Sequence, residues 1–513
     1  MSGATGSGAV EHVDVAIVGA GFAGIGTAIR LAREGGRSFA LLERGERVGG
    51  TWRDNTYPGA ACDIPSHLYS FSFLPHARWS RTFATGDEIQ AYLEDAVENE
   101  GLTPHTRLRT DVTDASWDET AGCWRLALAT TDGVESLTAD ALVLACGRLS
   151  EPALPDVPGI DTFSGAHFHS ARWDHSVPLE GARVAIVGTG ASAVQLLPHV
   201  AERAGAVTLF QRSAAWVLPR DERPYTAAEQ ALFAKDPGEI ARLRSDLFWR
   251  GEELFAARSG DASARAALQR RALAHLESQV ADSQLRDILT PDYEIGCKRI
   301  LISNTYYPAL AAENCDVVTD RIEQITPTGI VAGGQERPID VLIVATGFHT
   351  TELPITEHLT GRSGQTLAQR WEERGMSAYK GTAVADFPNL FFIVGPNTGL
   401  GHSSMVFMIE SQVTYIVDAV RTMRRGAHGV LEVTEAAERS WSADIQERMK
   451  RTVWSTGGCA SWYLDKHGNN TTLWPRTTFS FRGQLARFDV DAYDVRPITG
   501  TSTTHPTREE VTA

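Results

Sequence analysis

Apolar positions along the chain form short continuous runs that alternate with segments of helical spacing. Two of these runs, at residues 15–18 and 184–187, each end in a glycine-rich turn, and an apolar segment of helix length follows each turn. Short continuous apolar runs predict strands buried on both faces, and helices between such strands predict a parallel sheet. We therefore predict an α/β fold with two dinucleotide-binding (Rossmann-like) domains.

Changes of composition divide the chain further. Residues 225–295 carry many Ala, Glu, Arg and Leu at helical spacing and few glycines, which predicts a helical insertion in the second domain. We expect the first domain to comprise residues 1–150 and 385–498, and the second to comprise 151–224 and 296–384. The last residues, 499–513, are rich in Thr and charge without apolar periodicity, and we expect a disordered tail.

The two glycine-rich turns carry the first candidate chemistry. In such a turn, glycines let backbone N–H groups at a helix N-terminus approach a pyrophosphate. Glu43 follows Gly19 at the spacing at which Arg212 follows Gly188. An acid in this position accepts hydrogen bonds from free ribose hydroxyls, whereas an arginine suits a 2′-phosphate. The two domains should therefore bind different dinucleotides, unless Arg212 is only a solvated surface charge.

Composition and charge narrow the class of protein. A chain of 513 residues is too long to form a single hydrophobic core, which predicts more than one domain. The net charge of −16 disfavours nucleic acid as a partner. No apolar run is long enough for a membrane span, and the first residues lack the features of a signal peptide. The six cysteines are scattered without a C-x-x-C pair. We expect buried thiols, a cytoplasmic location and no metal site.

Two further stretches combine charged and aromatic residues. Residues 49–63 form a long glycine-containing loop that ends in Asp63, and loops of this length in compact domains are more often functional than idle. Lys298 and Arg299 are adjacent cations in an apolar and aromatic context. The alternatives are a plain surface loop and a solvated basic pair, respectively.

The segment between the two units carries a more specific pattern. It reads F-x-G-x-x-x-H-x-x-x-W-D, at Phe163, Gly165, His169, Trp173 and Asp174. Together with the paired glycine turns and the Gly-Gly-Thr-Trp stretch, this pattern resembles the class B flavoprotein monooxygenases, and within them the Baeyer–Villiger monooxygenases. Ala145-Cys-Gly147 departs from the A-T-G or A-S-G that the resemblance would lead one to expect.

The resemblance implies FAD in the first domain and NADPH in the second. It also implies an enzyme that uses NADPH and O₂ to convert ketones to esters or lactones through a C4a-peroxyflavin, with sulfoxidation as a further activity. The implied FAD residues are Gly19, Gly21, Gly24, Glu43, Gly50, Thr51, Trp52, Asp63, Tyr69 and Val112. The implied NADP residues are Gly188, Thr189, Gly190, Ala191, Ser192, Ala193, Gln195, Arg212, Ser213, Lys298, Arg299 and Trp462.

Arg299 and Asp63 are the expected catalytic residues. By the resemblance, Arg299 lies beside the flavin and Asp63 positions it, and a bidentate pair would hold the guanidinium in place. The alternative is that the two residues form a purely structural ion pair or never meet. His169 either contacts NADP or bonds the linker backbone, and we assign it no proton transfer.

Three other functions remain open at this point. A class B enzyme that oxidises nitrogen or sulfur atoms would share both nucleotide units. A flavin disulfide reductase would need a close pair of redox cysteines, which the spacing of the six cysteines does not indicate. A non-enzymatic flavin- or NADP-binding sensor would not require Lys298-Arg299 or the linker motif. The expected partners are a ketone and O₂.

Overall fold

A computed structural model describes residues 10–424, 429–459 and 461–497. The predicted tail at 499–513 lies outside these residues. The strands, in chain order, are β1 (Glu11–Val18), β2 (Phe39–Leu42), β3 (Thr106–Arg107), β4 (Asp111–Asp118), β5 (Cys123–Thr130), β6 (Gly133–Leu144), β7 (Ala166–His169), β8 (Arg183–Val187), β9 (Ala206–Phe210), β10 (Val217–Leu218), β11 (Leu301–Ile302), β12 (Cys315–Val318), β13 (Ile322–Ile325), β14 (Gly329–Ala332), β15 (Gln335–Pro338), β16 (Val341–Val344), β17 (Leu359–Thr360), β18 (Leu390–Phe392), β19 (Val430–Val433) and β20 (Tyr493–Arg496).

The helices lie between these strands and after them. They are α1 (Phe22–Glu34), α2 (Thr51–Asp54), α3 (Gly86–Asn99), α4 (Ala191–Ala201), α5 (Ala227–Lys235), α6 (Pro237–Glu253), α7 (Ala262–Gln279), α8 (Ser283–Leu289), α9 (Tyr306–Leu310), α10 (Leu367–Arg374), α11 (Met405–Arg424), α12 (Glu435–Met449), α13 (Val453–Thr456) and α14 (Thr478–Gln484). Within the described ranges, no helix is both long and apolar enough to cross a membrane.

Two separate sheets organise the molecule. The first has the strand order β17-β4-β5-β6-β1-β2-β3, with β18 also paired to β6. Strands β1, β2, β6 and β18 run parallel to their partners in its centre, while β4, β5 and the start of β6 form an antiparallel meander. The second sheet, β12-β9-β8-β16-β7, is parallel throughout. This arrangement confirms the predicted α/β fold with two Rossmann-like units.

Burial explains why these segments are strands. The last four residues of β1 and all four residues of β2 and β16 are buried, because helices or loops cover both faces of each sheet centre. The first sheet also receives Leu359–Thr360, which pair with β4 upstream of residue 385. The chain therefore returns to the first sheet at β17, earlier in the sequence than the expected return strand, β18, which pairs with β6.

The helical segment after β10 contains α5, α6, α7 and α8, and β11 follows it beside β10. Side-chain caps begin these helices: Thr226 caps α5 in a capping box, Asp236 caps α6 and Asp261 caps α7. Their apolar residues Phe233 and Ile240 belong to the same core as β1 and α1. The insertion thus covers the first unit while being built into the second.

Candidate functional site

The first glycine turn is shaped by close backbone approach. Gly19 has φ 101°, and a Cβ there would lie 2.7 Å from the Ala145 carbonyl oxygen. A Cβ on Gly24 would lie 1.8 Å from the Gly19 oxygen. Gly21 caps α1 without a side-chain hydrogen bond, and the first turn of α1 holds no acid. The first N–H groups of α1 therefore remain available to an anion, as a pyrophosphate requires.

Glu43 closes the far side of this turn. Its Oε2 accepts a hydrogen bond from the Ala20 N–H at 2.9 Å, and its Oε1 accepts from the Gly45 N–H at 2.8 Å and from Arg53 Nη1 at 2.5 Å. These donors compensate a carboxylate that is almost fully buried. Since Oε2 has one donor, it retains capacity to accept a ribose hydroxyl.

The loop after β2 lies against the same turn. Gly50 caps α2 with φ 55°, and a Cβ on Gly50 would lie 3.2 Å from Gly21 Cα. Thr51 and Trp52 begin α2, so the implied FAD residues of this loop lie beside the turn. The ring of Trp52 meets the ring of Tyr69 edge-on, with centroids 5.6 Å apart. Val112 is buried in β4, and the neighbouring Thr110 N–H bonds the Glu43 carbonyl.

The second glycine turn repeats the first. Gly188 has φ 117°, and a Cβ there would lie 2.4 Å from the Ala345 carbonyl oxygen. Gly190 caps α4 without a side-chain hydrogen bond, and a Cβ on it would meet nothing within 4 Å. Ala191 and Ser192 form the first turn of α4, while Ala193 is buried against the sheet. This helix N-terminus is therefore also open to a phosphate group.

Two cations meet at the end of β9. Lys298 Nζ donates to Ser213 Oγ at 2.6 Å, and Thr189 Oγ1 donates to the Ser213 carbonyl at 2.9 Å. Burial, and then the nearby charge of Arg212, lower the pKa of Lys298. Arg212 is exposed, and its charge acts on Lys298. Arg212, Ser213 and Lys298 thus form a basic cluster that fits a 2′-phosphate.

The loop at 57–61 joins the two units through Gln195 on α4. Tyr57 Oη donates to Gln195 Oε1 at 2.8 Å, and Gln195 Nε2 donates to the Ala61 carbonyl at 2.9 Å. Gly59 has φ 84°, and a Cβ on it would lie 2.5 Å from the ring of His199. Gln195, which the resemblance assigns to NADP binding, therefore hydrogen-bonds the loop of the first unit.

Asp63, at the end of this loop, pairs with Arg299. Arg299 Nε and Nη2 donate to Asp63 Oδ2 at 2.9 and 2.5 Å, across 236 positions of sequence. The two donors converge on one oxygen, which differs from the expected bidentate pair with two oxygens. About a third of the Arg299 side chain is open to solvent and a quarter of Asp63. Asp63 raises the pKa of Arg299 despite the desolvation around it, so the guanidinium stays charged.

The linker motif forms the edge of the second sheet. Its strand, β7, pairs with β16, and a Cβ on Gly165 would lie 2.4 Å from the Asp340 carbonyl. His169 is buried, its Nδ1 accepts from the Ala171 N–H at 3.1 Å, and burial lowers its pKa. Trp173 packs edge-on against Phe168. His169 Nδ1 thus makes the linker-backbone bond, while Nε2 is buried without a hydrogen-bond partner among the described residues, and the contact with NADP stays a prediction.

The ends of the motif differ in environment. Phe163 is buried in the core between β16 and the β13–β15 meander. Asp174 is exposed and accepts hydrogen bonds from the Ser176 N–H and hydroxyl at 2.9 and 2.5 Å, which lower its pKa. The motif therefore forms an ordered strand and the turn that follows it.

Two residues near Arg299, Tyr463 and Arg258, escaped the sequence analysis. Tyr463 is fully buried, and the charges of Arg299 and Arg258 act on it. Arg258 is also buried, which lowers its pKa to about 10, and Arg299 adds to that shift. Trp462, the implied NADP contact, is 44% exposed, and its carbonyl accepts from Thr350 Oγ1. An arginine in a charged helical segment gives no sequence signal of burial.

The cysteines correct one expectation. Cys297 and Cys459 form a disulfide, with Cα atoms 6.1 Å apart, so the expectation of thiols without a close pair was wrong. The partners are 162 positions apart, and no local spacing could have indicated them. Cys62, Cys123, Cys146 and Cys315 are free. In the part of the chain that the structure describes, no group of three or more His, Cys, Asp or Glu residues could hold a metal.

Comparison with known proteins agrees with this geometry. The flavin-binding monooxygenase-like family matches residues 12–229, which include the first glycine turn, the linker motif and the second glycine turn. Similar solved structures include complexes with FAD and NADP. The family match thus covers the residues of both glycine turns and of the linker between them. The fold and the site define an FAD- and NADPH-dependent monooxygenase.

Relatives that match most of the chain identify the type of monooxygenase. A Baeyer–Villiger monooxygenase of Streptomyces coelicolor is 49% identical over 94% of this chain and 93% of its own length. One of Pseudomonas aeruginosa is 45% identical over 94% and 92%. Cyclohexanone monooxygenase from Rhodococcus sp. Phi1 bound to NADP⁺ has a TM-score of 0.85 at 27% identity, over 95% of this chain and all of that one. The chain belongs to the Baeyer–Villiger monooxygenases.

Proposed function

We propose that Arg299 is the cation that stabilises negative charge during Baeyer–Villiger oxidation of a ketone, and that Asp63 positions it. The observation that carries this proposal is the convergence of Arg299 Nε and Nη2 on Asp63 Oδ2. Two donors to one oxygen fix the plane of the guanidinium. Nη1 forms no hydrogen bond within the described residues, so this corner of the guanidinium is available to a reacting group.

The residues around the first glycine turn are proposed to hold FAD. The open N-terminus of α1 would receive the pyrophosphate, Glu43 would accept a ribose hydroxyl, and the 50–52 stretch would border the isoalloxazine side. Bound FAD supplies electron transfer from NADPH and the position at which O₂ is activated. The residues of the chain supply orientation, a fixed positive charge and exclusion of water.

The second unit is proposed to hold NADPH. Its pyrophosphate would lie at the N-terminus of α4, and its 2′-phosphate would bind the basic cluster of Arg212, Ser213 and Lys298. Because Lys298 directly precedes Arg299, the grip on the nucleotide and the position of the guanidinium depend on one short segment. We also propose the domain boundaries that were expected from the sequence, and a cytoplasmic location for the protein.

Ketones are proposed as substrates over amines and sulfides because Arg299 is held charged. A nucleophilic oxygen species must stay deprotonated to attack a carbonyl, whereas oxygen transfer to nitrogen or sulfur uses a protonated one. A guanidinium that Asp63 keeps fully charged stabilises an anion and gives up no proton to it. A protein that only senses nucleotides would have no use for this arrangement.

The test replaces Arg299 and measures each stage separately. Arg299→Ala should still bind FAD, seen in the visible spectrum, and should still accept hydride from NADPH without oxygen, since neither step needs charge at the reacting oxygen. Ketone oxygenation should fall by about two orders of magnitude or more, as for the loss of one preorganised electrostatic group. Arg299→Lys should restore little, because an ammonium lacks the two donors that Asp63 accepts.

A matched control is Arg183→Ala, which removes an exposed arginine paired with Asp340 in the second unit. It should leave both stages unchanged. Parental ketone turnover in Arg299→Ala, with normal FAD content, would show that the role proposed for Arg299 is wrong.

A further inference from the structure

The Cys297–Cys459 disulfide joins the two segments that border Arg299. Cys297 lies two positions before Arg299, and Cys459 lies four positions before Tyr463. Tyr463 is buried, and among the charges acting on it that of Arg299 comes first. The disulfide is therefore a covalent link between the segment that carries the active-site guanidinium and the segment that carries a residue facing it.

The two segments also touch through their backbones. The Glu294 N–H bonds the Gly457 carbonyl at 3.0 Å. A Cβ on Gly457 would lie 2.8 Å from Cys297 Cβ. Such close approach restricts the movement of the Cys297 backbone and side chain. What happens at the sulfur atoms is thus transmitted to the backbone two residues before Arg299.

The two sulfur positions differ in accessibility. Cys297 is fully buried, whereas Cys459 is only partly buried and so lies closer to solvent. Reductants and oxidants therefore reach the bond from the Cys459 side, since thiol–disulfide exchange depends on access to one sulfur. A disulfide that forms in a reducing compartment is usually transient and acts in redox sensing or catalysis.

We propose that Cys297 and Cys459 are a reversible thiol–disulfide pair that positions Arg299, and that reduction of the bond uncouples NADPH consumption from ketone oxygenation. This inference rests on the proposed role of Arg299. With the bond closed, the 294–299 segment and residues 457–459 and 461–463 hold one arrangement around the guanidinium. With the bond open, they are joined by hydrogen bonds alone, and activated oxygen leaves as hydrogen peroxide instead of entering the ketone.

The chemistry of the pair is balanced by a peroxide and a dithiol. When the disulfide forms, the two thiols lose two electrons and two protons. Hydrogen peroxide accepts them, its O–O bond breaks and two water molecules form. In the reverse direction, a dithiol attacks the Cys459 sulfur, forms a mixed disulfide and is itself oxidised as Cys297 and Cys459 regain their protons. Hydrogen peroxide is the oxidant that uncoupled turnover releases.

The experiment compares the FAD-loaded enzyme in its two redox states. Thiol titration after denaturation should count four thiols in the oxidised enzyme and six after dithiothreitol, and peptide mapping should show the 297–459 link only in the former. Hydrogen peroxide released per NADPH is then measured with a saturating ketone, well below the melting temperature. Reduction should raise it about threefold or more. Anaerobic flavin reduction should keep its rate.

Two variants separate positioning from general damage. Cys459→Ser should release peroxide like the reduced enzyme and should no longer respond to dithiothreitol. Cys315→Ser removes a half-buried free thiol and should behave as the parent, including its response to dithiothreitol. Adding hydrogen peroxide to the reduced parent should restore both the linked peptide and the coupling. A merely structural bond would change the melting temperature and leave the peroxide ratio unaltered.

The outcomes distinguish the inference from the proposal on which it rests. Equal peroxide release in the oxidised and reduced parent overturns the inference, as do six thiols that peroxide treatment does not reduce to four. Unchanged ketone oxygenation in Arg299→Ala overturns the role of Arg299 instead, whatever the disulfide does. If Arg299→Ala loses oxygenation and the redox state changes nothing, only the positioning role of the disulfide fails.

Discussion

Lys298 Nζ and Ser213 Oγ are 2.6 Å apart, and this bond holds the ammonium beside the exposed Arg212. The two cations lie on either side of the helical insertion, where the pairing of β10 with β11 brings its two flanks together. Lys298 also lies 4.6 Å from the centre of the Tyr293 ring, which limits its movement. These two contacts fix the ammonium in the place where the 2′-phosphate is proposed to bind.

The first prediction concerns nucleotide preference. Arg212→Ala should raise the KM for NADPH far more than the KM for NADH, because only NADPH carries the 2′-phosphate. A charge-assisted contact contributes roughly 1.5–3 kcal/mol, about tenfold to a hundredfold in affinity. Steady-state kinetics with both nucleotides checks this. Arg203→Ala, which removes an exposed arginine paired with Glu180, is the control. Equal changes for both nucleotides would place the 2′-phosphate elsewhere.

The second prediction concerns FAD. Gly24→Ala should give protein with little or no bound FAD, because its Cβ would lie 1.8 Å from the Gly19 carbonyl and force the turn open. The ratio of visible to ultraviolet absorbance of the purified protein measures this. Gly483→Ala is the matched control, since a Cβ there meets nothing within 4 Å and the residue lies in α14. Yellow Gly24→Ala protein with the parental FAD content would contradict the assignment.

The third prediction concerns the linker. His169→Ala and Trp173→Ala should lower ketone oxygenation per NADPH more than they lower the melting temperature, because both residues order the strand end between the two units. His167→Ala alters an exposed residue of the same strand and should change neither quantity. Normal coupling in both linker variants would leave the segment with a structural role only.

The fourth prediction concerns acid stability. Burial lowers the pKa of His67 to about 4, with the charge of Arg244 next in importance. Between pH 4 and the ordinary value of about 6.5, the unfolded chain binds a proton that the folded chain does not. Stability should therefore fall as the pH drops through this window, by about 3 kcal/mol in total for this group.

Thermal unfolding at several pH values checks the role of His67. His67→Leu should flatten the decline of the melting temperature between pH 6.5 and 4, since the ring lies among Tyr225 and Phe233 and a leucine carries no proton. His467→Ala, which changes an exposed histidine, should keep the parental decline. An identical pH dependence in His67→Leu and the parent would show that other groups cause the acid loss.

Local patterns predicted most of the fold because the forces that decide it act locally. Glycine turns, apolar strand runs and the change to helical spacing depend on neighbouring residues, and the structure places all of them as expected. The positions of Glu43 and Arg212 were also readable, since Glu43 follows Gly19 at the same spacing as Arg212 follows Gly188. The contact of Phe233 with the core of the first unit was not, because it depends on how the insertion folds back.

The site was predictable only in part for the same reason. Arg299 and Asp63 were named through resemblance. That two nitrogens of Arg299 donate to one oxygen of Asp63 depends on backbone positions 236 residues apart. The Cys297–Cys459 bond has no signal in sequence spacing. Burial of Arg258 follows from tertiary packing that a charged helical segment does not reveal. Residues brought together by long-range packing are where sequence patterns stop being informative.

The contact of Gln195 with the 57–61 loop has a consequence for recombining members of this family. A chimaera that takes its second unit from a relative would present a foreign α4 to this loop, and Gly59 leaves no space for a bulkier surface opposite His199. Crossover points at the unit boundaries alone would therefore misalign the grafted unit. The functional module for exchange is the second unit together with residues 57–61, although these are distant from it in sequence.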